Sequence, residues 1–311
     1  MLAAFRELTT AKQLERSDLL DLLRDGIQAA LVRKFGPNVK FELSVDELQG
    51  TIKVVRLRQV VETIEDPSWQ IALEEARDNF LLGSLNDDEL GRIAAKLEKV
   101  SLKLGEVLYE SGEKMNYIYF PTTAIISMLY IMENGGTAEI GVVGNDGAVG
   151  ISLFLGGETT TSRAIVQSAG DLLRMKEADL RAEFKKAGRF QELLLRFTQA
   201  ILTQISQTAV CNRLHSIDQQ LCRWLLLSHD RLQSDKLEMT HDLISNMLGV
   251  RREGITLAAK KLAARKLIVN KRGTVTVIDR QGLEAASCEC YAIVNSEYNR
   301  LLGRGMSRTF N

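Results

Sequence analysis

The sequence predicts an α+β chain built from a helix-plus-sheet unit, a set of short strands, a long helix and a C-terminal winged helix-turn-helix. Three observations predict it. Between Met239 and Ile278 two short helical patterns flank a glycine and lead into a basic hairpin. From about residue 100 the texture turns to short β-rich runs punctuated by glycine turns. Around residues 190–210 apolar side chains recur in three- and four-residue steps.

Global properties set the frame. A chain of 311 residues has room for two or three domains, and 45% hydrophobic with 26% charged residues is the composition of an ordinary soluble globule. No window approaches the ~18 uninterrupted apolar residues of a membrane span, and residues 1–16 lack a signal-peptide core, so a cytoplasmic protein without membrane association is expected. Cysteines at 211, 222, 288 and 290 make no disulfide framework, which fits a reducing compartment.

The first unit is assigned to residues 1–78. Leu19, Leu20, Leu22, Leu23, Ile27, Ala30 and Leu31 give an amphipathic helix that ends at the Phe-Gly-Pro of residues 35–37, and strand patterns at 39–45 and 51–61 flank a turn at 47–50. Eleven bases against fourteen acids through Asp78 do not suggest independent nucleic-acid binding. The second unit, residues 79–185, carries strand runs at 100–104, 107–109, 115–120 and 124–132, the pattern of a sandwich or barrel. Gly141, Gly144, Gly147 and Gly150 could be a phosphate loop or strand corners; corners are preferred, because no strand-to-helix transition follows and no Gly-Lys-Ser/Thr is present. The third is a long helix at 186–212, where Leu193, Leu194, Phe197, Ala200, Ile201 and Ile205 share a face. That face is either buried under its own domain or paired with a second copy. The dimer is favoured, with Leu194, Phe197, Ile201 and Ile205 as its interface, because doubling a groove-reading module adds affinity and spacing discrimination.

The last unit, residues 213–303 before a tail at 304–311, holds the functional signal. Thr240 suits an N-cap for a helix whose Leu243, Ile244, Met247 and Leu248 share one face, and Gly249 suits its left-handed end. A second helix starts near Arg251 with Ile255, Ala258, Ala259 and Leu262 inward, leaving Arg251, Arg252, Glu253, Thr256 and Lys260 outward. The first turn of such a helix enters a major groove, where Arg bonds a guanine edge bidentately and Glu accepts from cytosine. Strands at 267–270 and 274–278 flank a tip of Lys271, Arg272 and Gly273, suited to phosphate. From Thr240 to Ile278 eight Lys or Arg stand against two acids in a chain of zero net charge, which points to double-stranded DNA rather than to a merely solvated surface.

In this order the units resemble the Crp/Fnr family of bacterial transcription regulators, over about residues 79–303. The marks are residues 105–113 (GEVLYESGE), 117–121 (YIYFP), 141–147 (GVVGNDG), 207–215 (QTAVCNRLH) and 248–253 (LGVRRE). The resemblance implies a cyclic-nucleotide-binding-like β-roll, a long dimerisation helix, a homodimer on a palindromic promoter site and, in some members, contact with RNA polymerase. By position Arg252 and Glu253 match the family's base-reading pair, Arg251 is a groove or phosphate contact, and the family's next basic contact is replaced near Thr256 and Leu257. The first 78 residues look like the start of the NusA N-terminal domain, through residues 28–36 (QAALVRKFG), the strands at 40–45 and 53–61, and residues 71–77 (IALEEAR). In NusA that domain docks on RNA polymerase; a plain packing extension is the other reading.

The input is less legible. Cyclic-nucleotide-binding relatives hold ribose with a Glu after a Gly and phosphate with a later Arg. Here Gly150 is followed by Ile151, while Arg163 stands near the Arg position either as a phosphate ligand or as an ion-pair partner. Cyclic nucleotide is disfavoured and no cofactor is expected. No cysteine precedes Cys211, against the N-terminal cluster of the Fnr branch. Cys288 and Cys290 form a close pair without a neighbouring His, so no metal site is assigned and inert thiols are preferred to a redox or metal role. Residues 100–175 hold neither His nor Cys for a haem ligand. His215, His229 and His241 are the only histidines, and no nucleophile elbow, zinc-protease motif or P-loop appears, so no enzyme is expected. The rival to a promoter-reading regulator is a factor that acts through RNA polymerase contacts alone.

Overall fold

The computed structural model describes residues 16–46, 51–232 and 234–303; the turn expected at 47–50, the tail at 304–311 and the side chains of Leu19 and Leu20 lie outside the described residues. Helix α1 (Arg16–Phe35) leads into strands β1 (Lys40–Asp46), β2 (Thr51–Val61) and β3 (Gln70–Ala72). On α1, Leu23, Ile27 and Leu31 are half-buried while Leu22 is exposed. Short helices α2 (Phe80–Gly83) and α3 (Asp87–Ala94) follow, then strands β4 (Leu97–Leu102), β5 (Val107–Tyr109), β6 (Tyr117–Pro121), β7 (Ile125–Ile131) and β8 (Thr137–Val143). After helix α4 (Ser152–Leu155) come β9 (Arg163–Ser168), β10 (Gly170–Lys176) and helix α5 (Glu177–Phe184).

The N-terminal hairpin is continuous with the roll. β1 and β2 pair antiparallel, β2 goes on to pair with β4 through Arg58 opposite Lys99 and Gln59 opposite Glu98, and the sheet continues through β10 to β6. A second sheet, in the order β5-β9-β7-β8, closes the roll. Leu97, Val100, Ile118, Phe120, Ile126, Val166 and Leu172 fill the core, consistent with alternation of inward residues along each strand. Across the seam, Arg174 of β10 donates to Glu42 of β1 at 2.9 Å and to Glu98 of β4 at 3.0 Å, and stacks 4.1 Å over the Tyr117 ring. The Arg174 guanidinium holds the Glu42 carboxyl below its ordinary range.

Helix α6 (Arg189–Leu214) is the spine of the molecule. Its apolar face corrects one expectation. Leu194, Phe197 and Ile201 are buried within their own chain, and Ile205 is partly covered, so these four are not a free dimer surface. Strand β8 lies on one side. On the other runs the last helix among the described residues, α11 (Glu289–Leu302), whose Tyr298 meets Phe197 edge-on with ring centres 6.4 Å apart. Gln204 accepts from Val142 N at 2.7 Å and donates to Tyr298 Oη at 3.0 Å. The outer face of α6 instead exposes Leu195, Leu202 and Val210.

Helix α7 (Ile217–His229), opened by a Ser216–Gln219 capping box, joins roll to C-terminal unit. Trp224 Nε1 donates to the buried carboxylate of Glu139 at 2.9 Å. Ser127 links Glu139 to Gln167, which donates to Ser228 of α7 at 2.9 Å. A serine hydroxyl has one proton. With that proton on Gln167 Oε1, the Ser127–Glu139 contact is satisfied when Glu139 is neutral. Burial pushes the Glu139 carboxyl up to about 7, against the hydrogen bond from Trp224 and the charges of Arg223 and Arg231. A raised carboxyl contributes stability that is complete below its unfolded value and is lost as pH rises through its folded one. Urea unfolding at pH 5.5 and 8.0 should therefore show a loss of roughly 2 kcal/mol on going to pH 8.0 that is missing from Glu139→Gln. Equal pH dependence in the two proteins would mean that Glu139 is charged in the fold.

Candidate nucleic-acid interface

The C-terminal module comprises strand β11 (Lys236–Leu237), helices α8 (His241–Leu248) and α9 (Arg252–Ala264), strands β12 (Ile268–Lys271) and β13 (Thr274–Val277), and helix α10 (Arg280–Ala286) before α11. Thr240 caps α8 by accepting from Leu243 N at 3.1 Å. Gly249 ends α8 at φ 64°, ψ 31°, in the left-handed region. A Cβ there would also meet Thr137 O and Ala138 at the tip of the β7–β8 hairpin. Ile244, Met247 and Leu248 of α8 are buried together with Ile255, Ala258, Ala259 and Leu262 of α9. That stripe is the one its spacing predicts.

With its inner face fixed, α9 turns Arg251, Arg252, Glu253 and Lys260 outward, all exposed. Arg252 also reaches Asp242 of α8 at 3.2 Å, an exposed pair that leaves its guanidinium in solvent. Arg252, Glu253, Thr256, Leu257 and Lys260 line one shallow groove along the helix. Lys271 and Arg272 stand exposed at the hairpin, whose turn is closed by Gly273 at φ 76°.

Thr240 stays exposed, and its cap bond uses an oxygen lone pair and leaves the hydroxyl proton available. One expected contact differs in detail. Thr256 is half-buried rather than outward: it donates to Arg252 O at 3.0 Å and lies 3.0 Å from His241 Nδ1. The other ring nitrogen of His241 sits 2.8 Å from the Asn270 amide on β12. His241 therefore clamps α9 to the wing, a role with no sequence signature because its partners lie 15 and 29 residues away. Lys261, counted among the eight cations, is paired with Asp218 of α7 at 2.8 Å. The wing has a third strand, β11 on β13, beyond the two of the hairpin.

In the roll, Gly150 takes φ 105° against Tyr117 O, and Ile151 begins the α4 turn. Arg163 pairs with Glu110 at 3.1 Å, the ion-pair alternative of its two readings. Cys288 and Cys290, without a neighbouring His in the sequence, have Cys211 and His215 beside them in the fold.

The module matches the Crp-like helix-turn-helix domain over residues 219–286, and the roll matches the cyclic nucleotide-binding domain over residues 99–187. From roll to wing the chain is of Crp/Fnr type. Residues 1–103 match the NusA N-terminal domain, so that likeness runs beyond the hairpin into β4. Among solved structures, a Crp/Fnr-family transcriptional regulator from Eubacterium rectale is 16% identical, with 66% of this chain and 96% of that one covered at a TM-score of 0.53. FixK2 from Bradyrhizobium japonicum is 15% identical, with 61% and 96% covered at 0.54. The c-di-GMP-responsive regulator CLP from Xanthomonas campestris is 17% identical, with 62% and 99% covered at 0.51. At these identities the likeness is one of fold. No curated protein gave a significant sequence match. No helix among the described residues is long and apolar enough to cross a membrane.

Proposed function

We propose that the chain is a cytoplasmic transcription regulator that binds double-stranded DNA in a sequence-specific manner, as a homodimer on a palindromic promoter site. One observation carries the reading: α9 and the wing tip present Arg251, Arg252, Glu253, Lys260, Lys271 and Arg272 to solvent from a scaffold whose opposite face is buried. Arg252 and Glu253 read base edges, whereas Arg251, Lys271 and Arg272 hold phosphates. Thr240 caps α8 and offers its hydroxyl proton to a phosphate, whereas Thr256 acts by placing α9. Leu195 and Leu202, one heptad apart on the open face of α6, form the dimer seam together with Val210. Two reading helices then lie about 34 Å apart, one DNA turn. With Ile151 in place of the ribose-binding acid and Arg163 held by Glu110, a cyclic nucleotide is not the input.

Salt-titrated binding to duplex DNA tests this. Affinity should fall steeply with salt, and a specific site should outcompete bulk DNA. Arg252→Ala should cost about 1–3 kcal/mol and relax base preference, whereas Lys271→Ala should weaken all sequences alike and reduce the salt slope by about one. Footprints that keep the parental preference in both variants would remove α9 as the reading helix.

A second reading rests on the NusA-like match: a factor recruited to RNA polymerase through residues 1–103, acting mainly by protein contacts. Binding to core RNA polymerase that survives Arg252→Ala, together with equal affinity for all duplexes, would favour it.

A further inference from the structure

A second group of chemistry-bearing side chains lies away from the DNA face, where α6 ends and α11 begins. Cys211 is in the last turn of α6 and His215 is its C-cap. Cys288 is the N-cap of α11 and Cys290 lies in its first turn. One ligand atom from each of the four can be chosen so that all lie within 4.8 Å of one another. Cys211 Sγ is 3.5 Å from Cys288 Sγ, and Cys290 Sγ is 3.7 Å from His215 Nδ1.

These spacings discriminate between chemistries. A disulfide needs sulfurs about 2.05 Å apart, and the cysteines are free. Around one tetrahedral ion with metal–sulfur bonds of ~2.3 Å and a metal–nitrogen bond of ~2.0 Å, neighbouring ligand atoms lie about 3.5–3.8 Å apart. The observed contacts fall at that spacing. The three thiols form a buried cluster of their own, separate from the main hydrophobic core. His215 turns its other nitrogen, Nε2, to the Glu289 carboxylate at 3.3 Å, the arrangement that orients a metal-binding imidazole. Arg223 is buried, acts electrostatically on Cys211 and Cys290, and leaves its Nε without a hydrogen-bond partner. It offsets the single negative charge of three thiolates on a dication.

We propose that Cys211, His215, Cys288 and Cys290 bind one Zn²⁺ in tetrahedral Cys₃His coordination. Four protein ligands leave no open position, so the site is structural. It pins the two-residue break between α6 and α7, at His215 and Ser216, to the helix that follows the winged module. The ion thus fixes the long helix relative to the reading helix. Binding releases the thiol protons and involves no change of oxidation state.

The test uses the full chain, reduced, loaded with excess Zn²⁺ and dialysed against metal-free buffer. Elemental analysis should find about one Zn²⁺ per chain, falling roughly tenfold or more in Cys288→Ser and Cys290→Ser. Cys222→Ser, which alters a buried thiol outside the cluster, should keep its zinc. Because a ligand variant can lose metal by unfolding, Co²⁺ is also bound to the unaltered chain. It should give the thiolate charge-transfer and strong visible bands of a tetrahedral site, and His215→Ala should shift those bands while far-ultraviolet dichroism is retained. A reduced, folded chain that retains no stoichiometric zinc, an octahedral Co²⁺ spectrum, or a Cys211–Cys288 disulfide in the purified protein would each overturn the assignment.

Discussion

Replacing Arg231 by alanine is expected to destabilise the folded chain by about 3–5 kcal/mol, because it empties a buried site and leaves the half-buried carboxylate of Asp146 without its guanidinium. Arg231 is 4% exposed and lies just past the end of α7. Its guanidinium grips Asp146 with two bonds, Nε at 3.1 Å and Nη2 at 2.6 Å, while Nη1 donates to Leu227 O at 2.7 Å. Asp146 belongs to the loop after β8, so this fork joins the roll to the element that carries the reading module. Arg is suited to the task because its planar donors match a carboxylate bidentately, which a lysine cannot do. Arg231→Lys should therefore recover only part of the loss. Asp146→Ala should be of similar size, and the double variant should cost clearly less than the sum of the singles, since the second change removes the charge that the first strands. Urea denaturation of the four proteins measures this. Additive losses would show that the two side chains stabilise the fold independently.

What could be read from the chain follows the range of the interactions. The α8–α9–wing segment is legible because its signals are local: a threonine cap, a glycine C-cap, an apolar stripe repeating every three to four residues and a glycine at the hairpin tip. For α6 the same periodicity identifies Leu194, Phe197 and Ile201 as one face but not what covers it. The cover is α11, about ninety residues downstream, and no local pattern points to it. β2 pairs with β4 by the same kind of non-local choice, so one sheet spans the boundary expected at residue 78. The metal-type cluster shows the limit most plainly. Cys288 and Cys290 can be seen as a pair, but Cys211 is 77 residues away from Cys288 and is brought to it only by the packing of α11 along α6.

Gly147→Ala is the other change expected to have a large effect, and the reason lies in space rather than backbone conformation. The glycines at 141, 144 and 147 suggest strand corners, yet none of the three has a positive φ. A Cβ on Gly147 would stand 2.0 Å from Phe197 Cε2 and 2.3 Å from Cζ, well inside the repulsive wall. The ring cannot swing aside easily, because Phe197 is fully buried and packed against Tyr298. Nor can the loop retreat freely, since Asn79 donates to Gly147 O at 2.9 Å and the neighbouring Asp146 is held by Arg231. Overpacking of this kind costs about 1–3 kcal/mol where the surroundings give, and more where they do not. Here the upper end or beyond is expected, together with weakened DNA binding, because the strain falls between roll and long helix. Phe197→Leu, which trims the ring, should cost stability alone yet restore part of what Gly147→Ala loses. An opposite sign of coupling between positions that touch is the signature of steric conflict. If Gly147→Ala is neutral, or if Phe197→Leu adds to its loss instead of relieving it, the close approach of loop to helix is not what requires glycine at this position.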